Sequence, residues 1–94
     1  MRWSAGLAWL IEFDPDAFEE LKQLDGEIQR RVIRYLRERI STIEDPRRFG
    51  KPLRGEYKGL WRYRIGDFRL ICAIEEAQFR VRVLRVGHRR EVYE

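Results

Sequence analysis

The chain has one cysteine, one histidine, three prolines and no long hydrophobic run in 94 residues. Cys72 has no partner for an intramolecular disulfide, and with His88 it is too small a set to close a zinc site. That cysteine usage suits a reducing cytoplasm, where the protein is expected to reside. No segment approaches the roughly 20 apolar residues of a membrane span. The start, Met1-Arg2-Trp3-Ser4-Ala5-Gly6-Leu7-Ala8-Trp9-Leu10, lacks the long apolar stretch of a signal peptide. Metal-ligand spacing, a phosphate-binding glycine loop and a Ser-His-Asp arrangement are all missing, so neither metal nor cofactor is expected.

What the chain does have is aromatic bulk and charge. Three Trp, four Tyr and five Phe offer large buried areas per residue, which offsets a charged fraction of 38% that would otherwise lean toward disorder. A chain this short supports one small core, so a single domain over residues 1–94 is expected. The net charge of +4 hides an asymmetry. Residues 1–46 hold 7 Lys/Arg against 10 Asp/Glu, net −3, and residues 47–94 hold 13 against 6, net +7. A field of that sign draws polyanions, and it equally suits an acidic protein partner.

Leu7 to Phe13 reads as a short apolar strand that stops at Asp14-Pro15, a plausible N-cap followed by a proline suited to the first helical position. A first helix is expected over about Pro15 to Leu24 and ends at Asp25-Gly26. The second, about Glu27 to Ile43, places Ile28, Val32, Leu36, Ile40 and Ile43 in one stripe, with Arg30, Arg31, Arg34, Arg37 and Arg39 mostly outside it. Glu44 to Gly59 reads as a loop, since its prolines and glycines disfavour any regular element. Three strands follow, at about Leu60 to Ile65, Phe68 to Glu75 and Phe79 to Val86, joined by short hairpins. The expected fold is α+β, in the order βααβββ, with two helices on one face of an antiparallel sheet and a short C-terminal tail or helical turn. Met1 to Gly6 fits no element, and a disordered extension is one reading of it.

Period-two alternation divides the strands into two faces. Trp61, Tyr63 and Ile65 alternate with Arg62 and Arg64, and Phe79, Val81 and Val83 with Arg80 and Arg82. The helices can cover the apolar face and leave the arginine face open. Arginine presents a planar fork of donors that matches phosphate oxygens and keeps its charge at any biological pH. Arg62, Arg64 and Arg69 on adjacent strands suit one phosphate, although any single arginine is more often a solvated face residue. Removing a preorganised donor of this kind typically costs on the order of 100 to 1000 in rate. Arginine supplies no base. His88 and Tyr93 are the proton-transfer groups near the basic segment, though a lone histidine in a turn is more often structural, and Tyr93 sits beside the chain end.

The blocks Lys51-Pro52-Leu53-Arg54-Gly55, Leu60-Trp61-Arg62-Tyr63-Arg64-Ile65-Gly66-Asp67-Phe68-Arg69-Leu70 and Val86-Gly87-His88-Arg89-Arg90-Glu91-Val92-Tyr93, in that order, resemble the RelE toxins of toxin–antitoxin pairs. The resemblance runs from about Leu7 to Tyr93. It implies a ribosome-dependent endoribonuclease that enters the A site and cuts mRNA without metal, the 2′-hydroxyl attacking its own phosphate. It also implies a RelB-like antitoxin as partner, with the pair binding operator DNA. Matched by motif, the family's catalytic basic residues fall on Arg62, Arg69 and Arg89 and its C-terminal tyrosine on Tyr93. His88 takes the place of a basic residue, and the family's lysine becomes arginine at 62. Lys51, Arg54, Lys58, Arg64, Arg82 and Arg90 are the expected RNA-binding set.

Two other readings stay open at this stage. A ParE-like toxin of the same fold would poison DNA gyrase and cut no RNA. Alternatively the chain serves mainly as an antitoxin-binding corepressor.

Overall fold

The structure is a computed structural model that describes residues 2–3 and 8–92. Its strands are β1 (Arg2–Trp3), β2 (Leu10–Phe13), β3 (Lys51–Pro52), β4 (Trp61–Ile65), β5 (Phe68–Glu75) and β6 (Arg80–His88), and its helices are α1 (Pro15–Lys22) and α2 (Gly26–Tyr35). One sheet carries all six strands in the order β1-β2-β6-β5-β4-β3. The helices lie on one face of it, α1 against β6 and α2 against β4. Between helices and sheet sits the main core, built from Ile11, Phe13, Val32, Leu36, Tyr63, Leu70, Cys72, Val81 and Val83 among others.

The α+β arrangement agrees with the sequence, but the sheet is mixed, not antiparallel. β2 pairs with β6 in parallel, Leu10 opposite Arg80 and Phe13 opposite Val83. Parallel neighbours need a long crossover, and everything from α1 to β5 intervenes here. Alternation within a strand does not encode that choice. Arg2 and Trp3 are also not a disordered extension. They pair with Glu12 and Ile11, and Trp3 stacks on Phe13 at 6.2 Å between ring centroids. The remainder of the Met1 to Gly6 stretch lies outside the described residues.

Pro15 does open α1 and Asp14 stands at its N-cap, with extended φ/ψ, although its carboxylate accepts no capping hydrogen bond. The α1 C-terminus is held from the next helix, where Gln29 Nε2 donates to the carbonyls of Lys22 (3.1 Å) and Leu24 (2.7 Å). α2 continues as one π turn over Leu36–Ile40, and Ser41 N–H donates to Leu36 O at 2.8 Å. The chain then leaves the helix. Trp9 N–H donates to Thr42 O at 3.0 Å, and the Ser41 hydroxyl to Trp9 O at 2.8 Å. Those bonds to the start of β2 stop the helix three residues before Ile43, which is 81% exposed and not part of the core stripe.

Glu44 to Gly59 is less irregular than expected. It holds two 3-10 turns, Pro46–Phe49 and Gly55–Tyr57, with β3 between them. Gly66 carries φ +59° at the first central position of the β4–β5 hairpin, which favours a mirror-image turn. The β5–β6 connection needs more chain, a 3-10 turn over Glu76–Gln78 followed by Phe79 at φ +49°. Phe79 therefore falls outside the strand's alternation. Its ring is 63% exposed and lies 5.2 Å from that of Trp9.

Candidate nucleic-acid interface

The face of the sheet turned away from the helices is built by cross-strand rows, because directly opposed residues share a face. One row is Lys51 on β3, Arg62 on β4 and Ile71 on β5; the next is Arg64, Arg69 and Gly87. Tyr63 and Ile65, alternating with these arginines, are buried in the core. Lys51, Arg62, Arg64 and Arg69 thus converge at one end of the sheet.

Arg64 and Arg69 are directly opposite, an arrangement that like charges disfavour. The structure separates them in depth. Arg64 is exposed, and Arg69 is 1% exposed with Nη1 donating to Gly66 O and Phe68 O, both at 2.9 Å. Arg69 therefore ties the β4–β5 turn to the arginine row.

The other end of the same face is neutralised. Arg80 bonds to Glu75 through Nε and to Glu12 through Nη1 at 3.2 Å. Arg82 lies 3.9 Å from Glu12 and 3.7 Å from Glu75. The hydrogen bond from Arg80 to Glu75 holds the guanidinium above its ordinary value. Arg82, expected to bind RNA, is thus already compensated by two carboxylates. Glu12 alternates with Ile11 and Phe13 on β2, so strand alternation carries the signal that would have found it.

A small apolar lid lies on the same face. Leu53, Ile71 and Val92 are buried together with Tyr57 and Leu60 packed against them. Val92 arrives there by a tight turn after β6, in which the N–H groups of Glu91 and Val92 donate to His88 O at 2.8 and 3.1 Å. Gly87 makes the approach possible, since a Cβ there would stand 2.8 Å from Val92 Cγ2. Arg89 is anchored at the start of the turn, its N–H to Asp67 O at 2.8 Å and its Nε 3.9 Å from Asp67 Oδ1. Arg54 and Lys58 flank the Gly55–Tyr57 turn and, like Arg90, are exposed. Tyr93 lies outside the described residues.

His88 does not join this cluster. The alternation that sets Gly87 opposite Arg69 sets His88 opposite Phe68 on the other face. Its ring meets the Phe68 ring edge-on at 5.5 Å, and Nδ1 accepts from Arg90 N–H at 3.2 Å. Among the described residues no group of three or more His, Cys, Asp or Glu side chains is arranged to hold a metal ion.

A face of this kind, cationic at one end and roofed by a loop and a C-terminal turn, is suited to phosphates. A sequence-family model described as "ParE toxin of type II toxin-antitoxin system, parDE" matches residues 11–93. The chain belongs to the RelE/ParE toxin superfamily. Within it the curated relatives point to the RelE side. Toxin RelG of Mycobacterium tuberculosis is 32% identical over 93% of this chain and 98% of its own length. Toxin RelE of the same organism is 37% identical over about half of each chain, 54% and 53%. The toxin–antitoxin complex RelBE2 of M. tuberculosis contains a chain of the same fold, with a TM-score of 0.80 and 30% identity over 92% of this chain and 97% of that one. A free mutant of Escherichia coli toxin RelE shares the fold at a TM-score of 0.70 and 24% identity, over 87% of this chain and 84% of that one. The protein is a RelE-like toxin of the type II toxin–antitoxin class. Among the described residues no helix is long and apolar enough to cross a membrane.

Proposed function

We infer that this RelE-like toxin is a ribosome-dependent endoribonuclease that cuts mRNA in the A site, the 2′-hydroxyl attacking the adjacent phosphate without help from a metal. The observation that carries this reading is the convergence of Lys51, Arg62, Arg64 and Arg69 at one end of the open sheet face. Arg62 there holds charge that grows on the phosphorane. Arg69, committed through Nη1 to the hairpin turn, keeps the arginine row in place and adds field from beneath. Arg89 assists the leaving 5′ oxygen. Tyr93 follows directly on Val92, which is packed on this face, whereas His88 faces the other way. The base is therefore assigned to Tyr93, with His88 as the weaker candidate.

Relatives crystallised as toxin–antitoxin complexes, including RelBE2 of M. tuberculosis and the archaeal RelE–RelB pair of Pyrococcus horikoshii, support a RelB-like antitoxin for this chain. Such a partner would cover the arginine face, and the pair would bind operator DNA. A cytoplasmic site of action follows from the ribosomal target.

Purified ribosomes programmed with mRNA, read by primer extension, test the assignment. Wild type should give cuts in the A-site codon, and Arg62→Ala should lose them by on the order of 100-fold or more with an unchanged melting temperature. Arg69→Ala should lose activity and also about 2 kcal/mol of stability, since a buried side chain is removed and the part-buried carbonyls of Gly66 and Phe68 lose their donor. Tyr93→Phe should be inactive and His88→Ala largely active. The matching family model is described by ParE, while the curated relatives are of the RelE type. Gyrase-linked DNA breaks with intact mRNA would sink the nuclease in favour of gyrase poisoning.

A further inference from the structure

A second concentration of arginine lies away from the sheet. α2 and its π turn, residues 26–40, carry Arg30, Arg31, Arg34, Arg37 and Arg39 against only Glu27 and Glu38. All five arginines are exposed. Among the described residues no carboxylate forms an ion pair with any of them. On β6, by contrast, Arg80, Arg82 and Arg85 are each paired with glutamates.

Arg30 and Arg34 are four residues apart, and Arg31, Arg34 and Arg37 succeed one another at three. Like charges at those spacings destabilise an isolated helix by a few tenths of a kcal/mol per pair. Two hollows on this surface share Arg34. One, of about 360 Å³, is lined by Arg30, Ile33, Arg34 and Arg37 with Gly26 and Gln29. The other, of about 210 Å³, is lined by Arg31, Arg34 and Arg39 with Tyr35 and the carboxylate Glu38, and reaches Ile65 at the end of β4. Arg39 then leads to an aromatic. Its guanidinium carbon lies 5.2 Å from the centre of the Phe49 ring, and that of Arg48 lies 4.4 Å from it.

We propose that the outer face of α2, from Arg30 to Arg39 and on to Phe49, is a second RNA-docking surface. It grips the phosphates of structured RNA and stacks an unpaired base, and it lies apart from the cutting face. The reading rests on the chain being an RNA-directed toxin. Two features select RNA over an acidic protein. Every cation in the stripe is arginine, whose fork fits a phosphate with two parallel bonds. The stripe ends in an aromatic beside guanidinium groups, the combination on which unpaired bases stack. On this account the toxin holds its RNA at two places, and grip can be lost without loss of the catalytic groups.

Binding of a fluorescein-labelled RNA hairpin with a single-stranded uridine tail, followed by anisotropy across a potassium chloride series, tests the surface. The triple variant Arg30→Gln/Arg34→Gln/Arg37→Gln should bind at least tenfold more weakly. Its log K against log salt should be shallower by about 2, since every phosphate that is no longer neutralised takes roughly 0.7 to 0.9 off the slope. The corresponding triple lysine variant should restore the slope. Phe49→Ala should weaken binding with the slope unchanged. Because the substituted residues are exposed, melting temperatures should hold; should the triple variant melt early, Arg34→Gln alone should still remove about 1 from the slope. A triple glutamine variant with wild-type affinity and slope overturns the proposal, as does an equal loss toward a polyglutamate probe. Primer extension on ribosomes stays separate. Slope loss in a toxin that cuts no mRNA would uphold this surface and remove the nuclease.

Discussion

Tyr63 and Cys72 are fully buried in the core beneath the arginine face. Tyr63 is the aromatic that alternates with Arg62 and Arg64, and its hydroxyl donates to Pro46 O at 2.7 Å. Burial pushes the Tyr63 phenol up from an ordinary 10.0 and the Cys72 thiol up from 9.0. Both groups keep their protons in the folded chain while the unfolded chain releases them, so stability is lost as pH rises above those ordinary values. Each adds about 1.4 kcal/mol per pH unit to that fall. Denaturant melts at pH 8 to 11 should show the decline. Tyr63→Phe should start about 1 kcal/mol lower, for the orphaned Pro46 carbonyl, yet fall less steeply above pH 10. An equal slope in that variant would place the alkaline transition elsewhere.

At the scale of elements, the parts with a regular period were readable in the sequence. The β4 and β5 spans, the opening of α1 and the α2 stripe up to Ile40 all rest on local alternation or capping. The α2 end was not, because it is set by bonds that join Ser41 and Thr42 to Trp9, more than thirty residues away in the chain. The parallel seat of β2 beside β6 was hidden for the same reason. In the site, alternation located Arg62 and Arg64, but it carries no depth, so the burial of Arg69 was not visible. The packing of Val92 over Gly87 was also beyond reach, since it depends on a turn folding back onto the sheet. That packing makes a test of the C-terminal turn. Gly87→Ala places a methyl 2.8 Å from Val92 Cγ2, and overpacking of this kind costs about 1 to 3 kcal/mol. The turn can also yield by lifting away. Either the melting temperature falls, or proteolysis releases the residues after His88 faster than in wild type. A variant unchanged in both would show that Val92 is not seated there.

On the whole molecule, charge is partitioned more finely than the net values of the two halves suggest. The sheet face has a cationic end at Lys51, Arg62 and Arg64 and a neutral end where Glu12 and Glu75 answer Arg80 and Arg82. The outer face of α2 is a third region, cationic and separate from both. Glu12 is thus a boundary residue: it keeps the arginine field from extending across the sheet. Glu12→Gln should extend that field and leave Arg80 and Arg82, two residues apart on one strand, to share Glu75 alone. These groups are about a fifth to a third exposed, so solvent screening limits the effect to about 1 kcal/mol. The loss should be largest at low ionic strength and shrink by about 0.15 M salt, where the screening length is near 8 Å. The same substitution should steepen the salt dependence of RNA binding by less than 1, since it uncovers charge without adding a donor. Thermal melts across a salt series check the first expectation and anisotropy the second. A variant destabilised equally at all salt concentrations would mean that Glu12 contributes through hydrogen bonding to Arg80 and not through the field of the face.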